Sequence, residues 1–133
     1  MADNTFTVKI ITPEREFYNG EVEMIEFNTT EGEIGVYKNH IPLTTVLAPG
    51  VVTLHEEGGE KKAAVHAGFA EILGDEVTLL AEIAEWPDEI DVARAKAAEE
   101  RAKERLDGKA ADIDFKRAEF ALKKSLVRQQ IVA

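Results

Sequence analysis

A two-domain β-plus-α chain is the architecture this sequence predicts: an antiparallel β-sandwich or flattened barrel over residues 1–86, then an antiparallel α-helical hairpin over 87–133. Three observations predict it. Eight of nine glycines and seven of nine aromatic residues fall at or before Trp86. Charge divides at the same place: residues 1–86 carry five basic and sixteen acidic side chains, a net −11, whereas 87–133 carry eleven and ten, a net +1. The hydrophobic period also changes there, from two residues to about 3.6.

In the first unit, Phe6, Val8 and Ile10 alternate with Thr5, Thr7 and Lys9, the pattern of a half-buried strand. Thr12-Pro13 ends it, because proline has no donor for a ladder and restricts the residue before it. Val22 and Met24 share one parity while Ile25 and Phe27 take the other, which predicts a β-bulge or a strand passing between two sheets. Turn chemistry recurs at Asn19-Gly20, Glu31-Gly32, Pro49-Gly50, Gly58-Gly59 and Gly74-Asp75. Strands are expected between these turns at 51–55, 62–68, 70–73 and 77–83.

Trp86-Pro87 closes the β unit. Asp88 is placed to cap a helix, with Glu89 and Asp91 in its first turn facing the positive end of the dipole. Residues 90–106 contain five alanines and no glycine, proline or aromatic residue, and Gly108 suits the helix end. A second helix over 112–130 places Phe115, Ala118, Leu122 and Leu126 on one face. The pairs Glu99–Lys103, Asp112–Lys116 and Glu119–Lys123 have the favoured i,i+4 order. At about 45 residues the hairpin is near the size at which a domain struggles to bury enough surface alone. Its helices should persist locally while their docking stays marginal, as a ligand-driven switch requires.

The composition excludes several function classes. A whole-chain charge of −10 with a strongly acidic larger part argues against nucleic-acid binding, which needs a clustered basic surface. Zero cysteines exclude disulfides and thiolate chemistry. The least charged stretch, 39–55, is too short and too rich in threonine and proline to span a bilayer. The start, MADNTF, reads as neither a signal nor a transit peptide, so a cytoplasmic protein is expected. His40, His55 and His66 lack metal-ligand spacing, so no metal is expected. No nucleophile motif or phosphate-cradling glycine loop occurs. Glu21 and Glu23 share a strand face, but alternate acids on a strand are ordinarily its solvent side, so an acid/base enzyme is the weakest reading.

The basic residues of the hairpin are more informative. Arg94, Arg101 and Arg105 fall at i, i+7 and i+11, and Arg117, Lys124 and Arg128 repeat that spacing. Folded together, the two stripes could converge on a polyphosphate; opened, they could meet an acidic partner surface.

At this point the chain resembles the epsilon subunit family of bacterial F-type ATP synthases, over essentially its whole length. The resemblance rests on Thr12-Pro13, EGEIGVYKNHIPL (31–43), AGFAE (67–71), VTLLAE (77–82), IDVARA (90–95) and DIDFKRAEFAL (112–122). It implies a non-catalytic central-stalk subunit on the cytoplasmic face of the bacterial membrane, peripheral and held there only through the complex. Its partners would be the gamma subunit, the c-ring and the alpha/beta catalytic head. A loop carrying Glu31, Glu33 and His40 would meet the c-ring and gamma. IDVARA corresponds to the family's ATP-recognition signature: Glu85, Ile90, Asp91 and Ala95 would surround the nucleoside, and Arg94, Arg101, Lys124 and Arg128 would hold the phosphates. ATP would be a regulatory ligand, with no obligatory cofactor. ATP-binding relatives carry arginine where this chain has Lys124, a point charge in place of a bidentate fork. The alternative reading is a freestanding ATP-sensing or adaptor module.

Overall fold

Strand β1 (Phe6–Ile11) buries Phe6, Val8 and Ile10 on one face, as the alternation requires. The computed structural model describes residues 4–108 and 112–132. After β1 the Thr12 hydroxyl accepts the backbone N–H groups of Glu14 and Arg15 at 3.3 Å, which turns the chain into β2 (Glu16–Val22). The expected Asn19-Gly20 turn is instead the middle of β2, where Lys9 faces Asn19 and Val8 faces Gly20. Gly20 is needed for close approach: a Cβ there would lie 2.7 Å from the Tyr18 hydroxyl oxygen.

The parity change after Met24 marks a passage between sheets. The chain bends at Glu23, leaves the β1–β2 ladder and enters β3 (Met24–Thr29), which pairs with β4 (Gly32–Tyr37) and β6 (Gly50–Glu56). Between β4 and β6 lies β5 (His40–Val46), which pairs with β7. The expected strands 62–68 and 70–73 are one strand, β7 (Gly59–Gly74). It kinks at Ala67 and Gly68, both at positive φ (62° and 122°), where its free edge changes partner from β6 to β5. A Cβ on Gly68 would come 2.0 Å from the Leu80 carbonyl oxygen, so the kink demands glycine. The last strand is β8 (Glu76–Glu85).

The ladder order is β2-β1-β8-β7-β6-β3-β4, with β5 attached to β7. One departure from the antiparallel expectation is β1 with β8, which run parallel, Val8 opposite Val77. The folded-over ladder encloses Val22, Ile25, Phe27, Val52, Leu54, Ile72 and Leu79, all at most 2% exposed. Trp86 closes one side, stacked on Phe17 at 4.3 Å and edge-on to Tyr18 at 6.2 Å.

A 3-10 turn, Pro87–Glu89, joins the sandwich to α1 (Val92–Asp107). Asp88 does not cap the helix. Ile90 is extended (φ −94°, ψ 127°), so the helix starts later, and Asp91 caps it by accepting the Arg94 backbone N–H at 3.0 Å. The Glu89 carboxylate accepts the Trp86 N–H at 2.9 Å and both of its oxygens meet Arg15, at 2.7 and 2.9 Å. The junction is thereby clamped from both sides.

α1 and α2 (Asp112–Val132) form the expected antiparallel hairpin, in which α2 packs on β6 and β7. Its seam is built from small residues at heptad spacing, Ala95 and Ala102 against Ala118 and Ser125, all at most 3% exposed. The face expected from 112–130 is therefore corrected. Ala118 is buried, but Phe115 and Leu126 are 44% and 46% exposed, because an alanine-lined partner admits a close approach of small side chains and displaces large ones outward. Gln129 bonds Glu99 across the seam at 2.9 Å, and Glu99 holds Lys103 at 2.9 Å. The Asp112–Lys116 pair lies outside the described residues; Glu119 and Lys123 do not close to ion-pair distance.

Candidate ligand cleft of the helical hairpin

The end of β8, the junction and the two helices enclose a cleft of about 350 Å³, within the usual range for small-molecule sites. Each element contributes for a local reason. β8 ends at Glu85, and the extended Ile90 and the capping Asp91 line the cleft where the chain turns into α1. Arg94, Ala95, Ala98 and Arg101 recur at helical spacing along α1, and Ala121, Lys124 and Arg128 along α2. All eight residues assigned by the resemblance, Glu85, Ile90, Asp91, Arg94, Ala95, Arg101, Lys124 and Arg128, line this one cleft. Sequence reasoning missed Glu89, Ala98 and Ala121. The spacing held the signal for the alanines, since Ala98 lies four residues after Arg94 and Ala121 three before Lys124. Arg105 and Arg117, members of the same stripes, do not reach the cleft.

Its carboxylates are already engaged. Arg128 Nε donates to Glu85 Oε1 at 2.6 Å, Glu89 is held by Arg15, and Asp91 caps α1. Burial pushes the Glu85 carboxyl up, but His66 and Arg128 beside it hold it below the ordinary carboxylate range. Contacts from Arg15 and the Trp86 N–H likewise hold Glu89 low. Among the described residues Arg94, Arg101 and Lys124 have no carboxylate at ion-pair distance; Lys124 Nζ instead sits 5.1 Å from the centroid of the Phe120 ring. The cleft thus presents three cations without counter-charge, two of them planar guanidinium forks, which is chemistry for a phosphorylated anion.

Glu31, Glu33 and His40 are not brought together, and they do not share a loop. Glu31 is in the β3–β4 turn, Glu33 is on β4 opposite Asn28, and His40 opens β5 opposite Gly74. Six residues of β4, about 20 Å of strand, separate the two ends. The strands were hidden by Gly35 and Pro42, although Ile34 and Val36 share a parity. β5 tolerates Pro42 because its register shifts there and it pairs on one side only. An apolar row crosses the neighbouring face, Val46 opposite Phe69 opposite Leu80, at 44%, 55% and 50% exposure. Among the described residues no cluster of side chains fits a metal, and no helix is long and apolar enough to cross a membrane.

Comparison with known proteins agrees with this arrangement. Residues 5–87 match the family described as the ATP synthase delta/epsilon chain β-sandwich domain, and 88–133 its long α-helix domain. The ATP synthase epsilon chain of Caldanaerobacter subterraneus subsp. tengcongensis is 47% identical over 132 residues, 98% of this chain and 96% of that one. That of Brevibacillus brevis is 51% identical over 109 residues, 81% of this chain and 83% of that one. In fold the chain is similar to a chain of the mitochondrial ATP synthase of Euglena gracilis, with a TM-score of 0.84, 23% identity, and 97% and 82% of the two chains covered. With two adjoining family domains matched from end to end and bacterial relatives near half identity, the chain belongs to the ATP synthase epsilon-chain family, whose members are non-catalytic subunits of that complex.

Proposed function

We propose that this subunit couples the c-ring to gamma through its β-sandwich and restrains ATP hydrolysis through a hairpin that ATP holds folded. One observation carries the sensor reading: Arg94, Arg101 and Lys124 converge, without carboxylate partners among the described residues, on a cleft that exists only while α1 and α2 are docked. A polyphosphate there bridges both helices, so it binds the folded hairpin and not the open one. Such a ligand stabilises the folded form by RT ln(1 + [L]/Kd), about 2.7 kcal/mol at a hundredfold excess over Kd. That shifts a balanced hairpin by about two decades. Glu85, Ile90, Asp91 and Ala95, which line the same cleft, take the nucleoside.

The β-sandwich supplies the mechanical half. A rigid double layer with exposed Val46, Phe69 and Leu80, and with Tyr37 and Ile41 beside His40 at 63% and 75% exposure, fits protein partners such as gamma and the c-ring. The subunit then sits at the cytoplasmic face of the membrane, attached through the complex. When ATP falls, the hairpin opens along gamma and its basic stripes face the alpha/beta head.

Calorimetric titration of the full chain with ATP tests the sensor. Arg94→Ala should weaken binding at least tenfold, and Lys124→Arg should tighten it by restoring a fork. Indistinguishable titrations for the wild-type chain and Arg94→Ala would remove the pocket.

A further inference from the structure

Beneath α2 lies a side chain with no assigned role. Ala63 and Val65 of β7 join the sandwich core, so Ala64 and His66, on the other parity, point outward. Both are nevertheless buried, His66 at 1% exposure, because α2 packs over this part of β6 and β7. Among the described residues neither ring nitrogen of His66 has a hydrogen-bond partner. Nε2 lies 3.3 Å from Glu85 Oε1, and that same oxygen accepts from Arg128 Nε at 2.6 Å. An unpartnered imidazole nitrogen is costly in a dry site. Here it stands next to the acceptor that ties the last helix to the last strand.

We propose that His66 is a proton-linked positioning residue: neutral, it leaves Glu85 to Arg128 and α2 stays seated, whereas protonated it competes with Arg128 for the same carboxylate oxygen and unseats the helix. The charged groups that bear on the ring are Glu85 from β8 and Arg128 and Lys124 from α2. On the other elements around it, Glu89 of the 3-10 turn is engaged with Arg15, and His55 and Glu56 of β6 with Glu26, Glu60 and Tyr18, while Asp88 of the turn faces solvent. Burial foremost, then the cations Arg128 and Lys124, hold the imidazole below its ordinary value of 6.5 against the pull of Glu85. Lifting α2 gives the ring water and removes both cations. The undocked form therefore binds more protons, and docking, complete above 6.5, weakens as pH falls through and below that value. Acidification on this side of the membrane would open the cleft independently of ATP. Its bearing on hydrolysis rests on the sensor reading above; the docking equilibrium does not.

The chain has no cysteine, so Glu57→Cys and Glu119→Cys, both at exposed positions, place a donor and an acceptor dye on the sandwich and on α2. Energy transfer in the full chain without nucleotide, from pH 8 to 5.5, reads docking. The expected result is a docking constant several-fold weaker at pH 5.5 than at 7.5, by no more than about tenfold per pH unit for one proton. His66→Gln should be flat over the same range; if that variant docks less well throughout, the slope against pH still decides. The His66 ring resonances should titrate below 6.5 in the docked chain. Equal slopes for the two chains, or a ring titrating at or above 6.5, would overturn the proposal. Added ATP separates the readings: a pH response that ATP fails to oppose at any pH supports the His66 switch and contradicts the nucleotide sensor.

Discussion

Arg128 Nε lies 2.6 Å from Oε1 of Glu85, 43 residues earlier, and this contact fastens the last helix to the last strand of the sandwich. It is the polar counterpart of a seam whose buried members are mostly alanine. Burying methyl groups contributes little each, so a charge-assisted bond with both side chains 23% exposed is a large share of docking.

Arg128→Ala should therefore weaken docking by about 1–3 kcal/mol, leaving Glu85 half-buried beside His66. Hydrogen exchange should rise in α1 and α2 while the amides of β1 and β8 stay protected. Uniform protection across both units would contradict this.

Asp91→Ala removes the cap of α1 and should cost about 1 kcal/mol of helix stability. Circular dichroism would show the loss as a lower melting point for the helical signal. Asp88→Ala, at the residue the sequence had marked as the cap, should leave that signal unchanged.

The small-residue seam makes a directional prediction. Ala102→Leu inserts three carbons where the helices touch and should destabilise docking by about 1–3 kcal/mol. Leu126→Ala, on the outward face at 46% exposure, should change docking by less than about 0.5 kcal/mol. Thermal melts of the two variants separate a close-packed alanine seam from one built on the larger side chains.

How much of this was legible in the sequence depends on what each residue encodes. The sandwich, the break at Trp86 and the hairpin follow from period and composition, which local chemistry sets. The Phe6–Val8–Ile10 strand and the Gly58-Gly59 tip lie where their patterns put them. Gly20 misled because a glycine serving close approach to Tyr18 looks the same as one serving a turn. Pro42 hid β5 because an edge strand obeys looser rules than a central one. Phe115 and Leu126 misled because hydrophobic periodicity cannot tell which face an alanine-rich partner selects. Arg94, Arg101, Lys124 and Arg128 were legible from the i, i+7, i+11 spacing, which equally marked Arg105 and Arg117 outside the cleft; Ala95 came only with the resemblance, and Ala98 and Ala121 were missed. His66 was not legible: its burial comes from α2 (Asp112–Val132), far downstream, and no local pattern records that contact.

Acid should undock the hairpin in two stages. The first belongs to His66, below 6.5. The second belongs to Glu85, whose lowered pKa means its contribution is present above the ordinary carboxylate value of 4.5 and is lost as pH falls through its folded value. Glu85→Gln should abolish the second stage in an energy-transfer titration. A second stage of unchanged size would show that other carboxylates carry it.

The central claim is that the hairpin is an ATP-governed brake on the complex. It is tested most directly by ATP hydrolysis of the alpha/beta/gamma head reconstituted with the full chain or with a version ending at Trp86, over a range of ATP concentrations. The full chain should inhibit at low ATP and release as ATP rises, and the shortened chain should not inhibit at any concentration. Equal hydrolysis with both chains across the range would contradict the account.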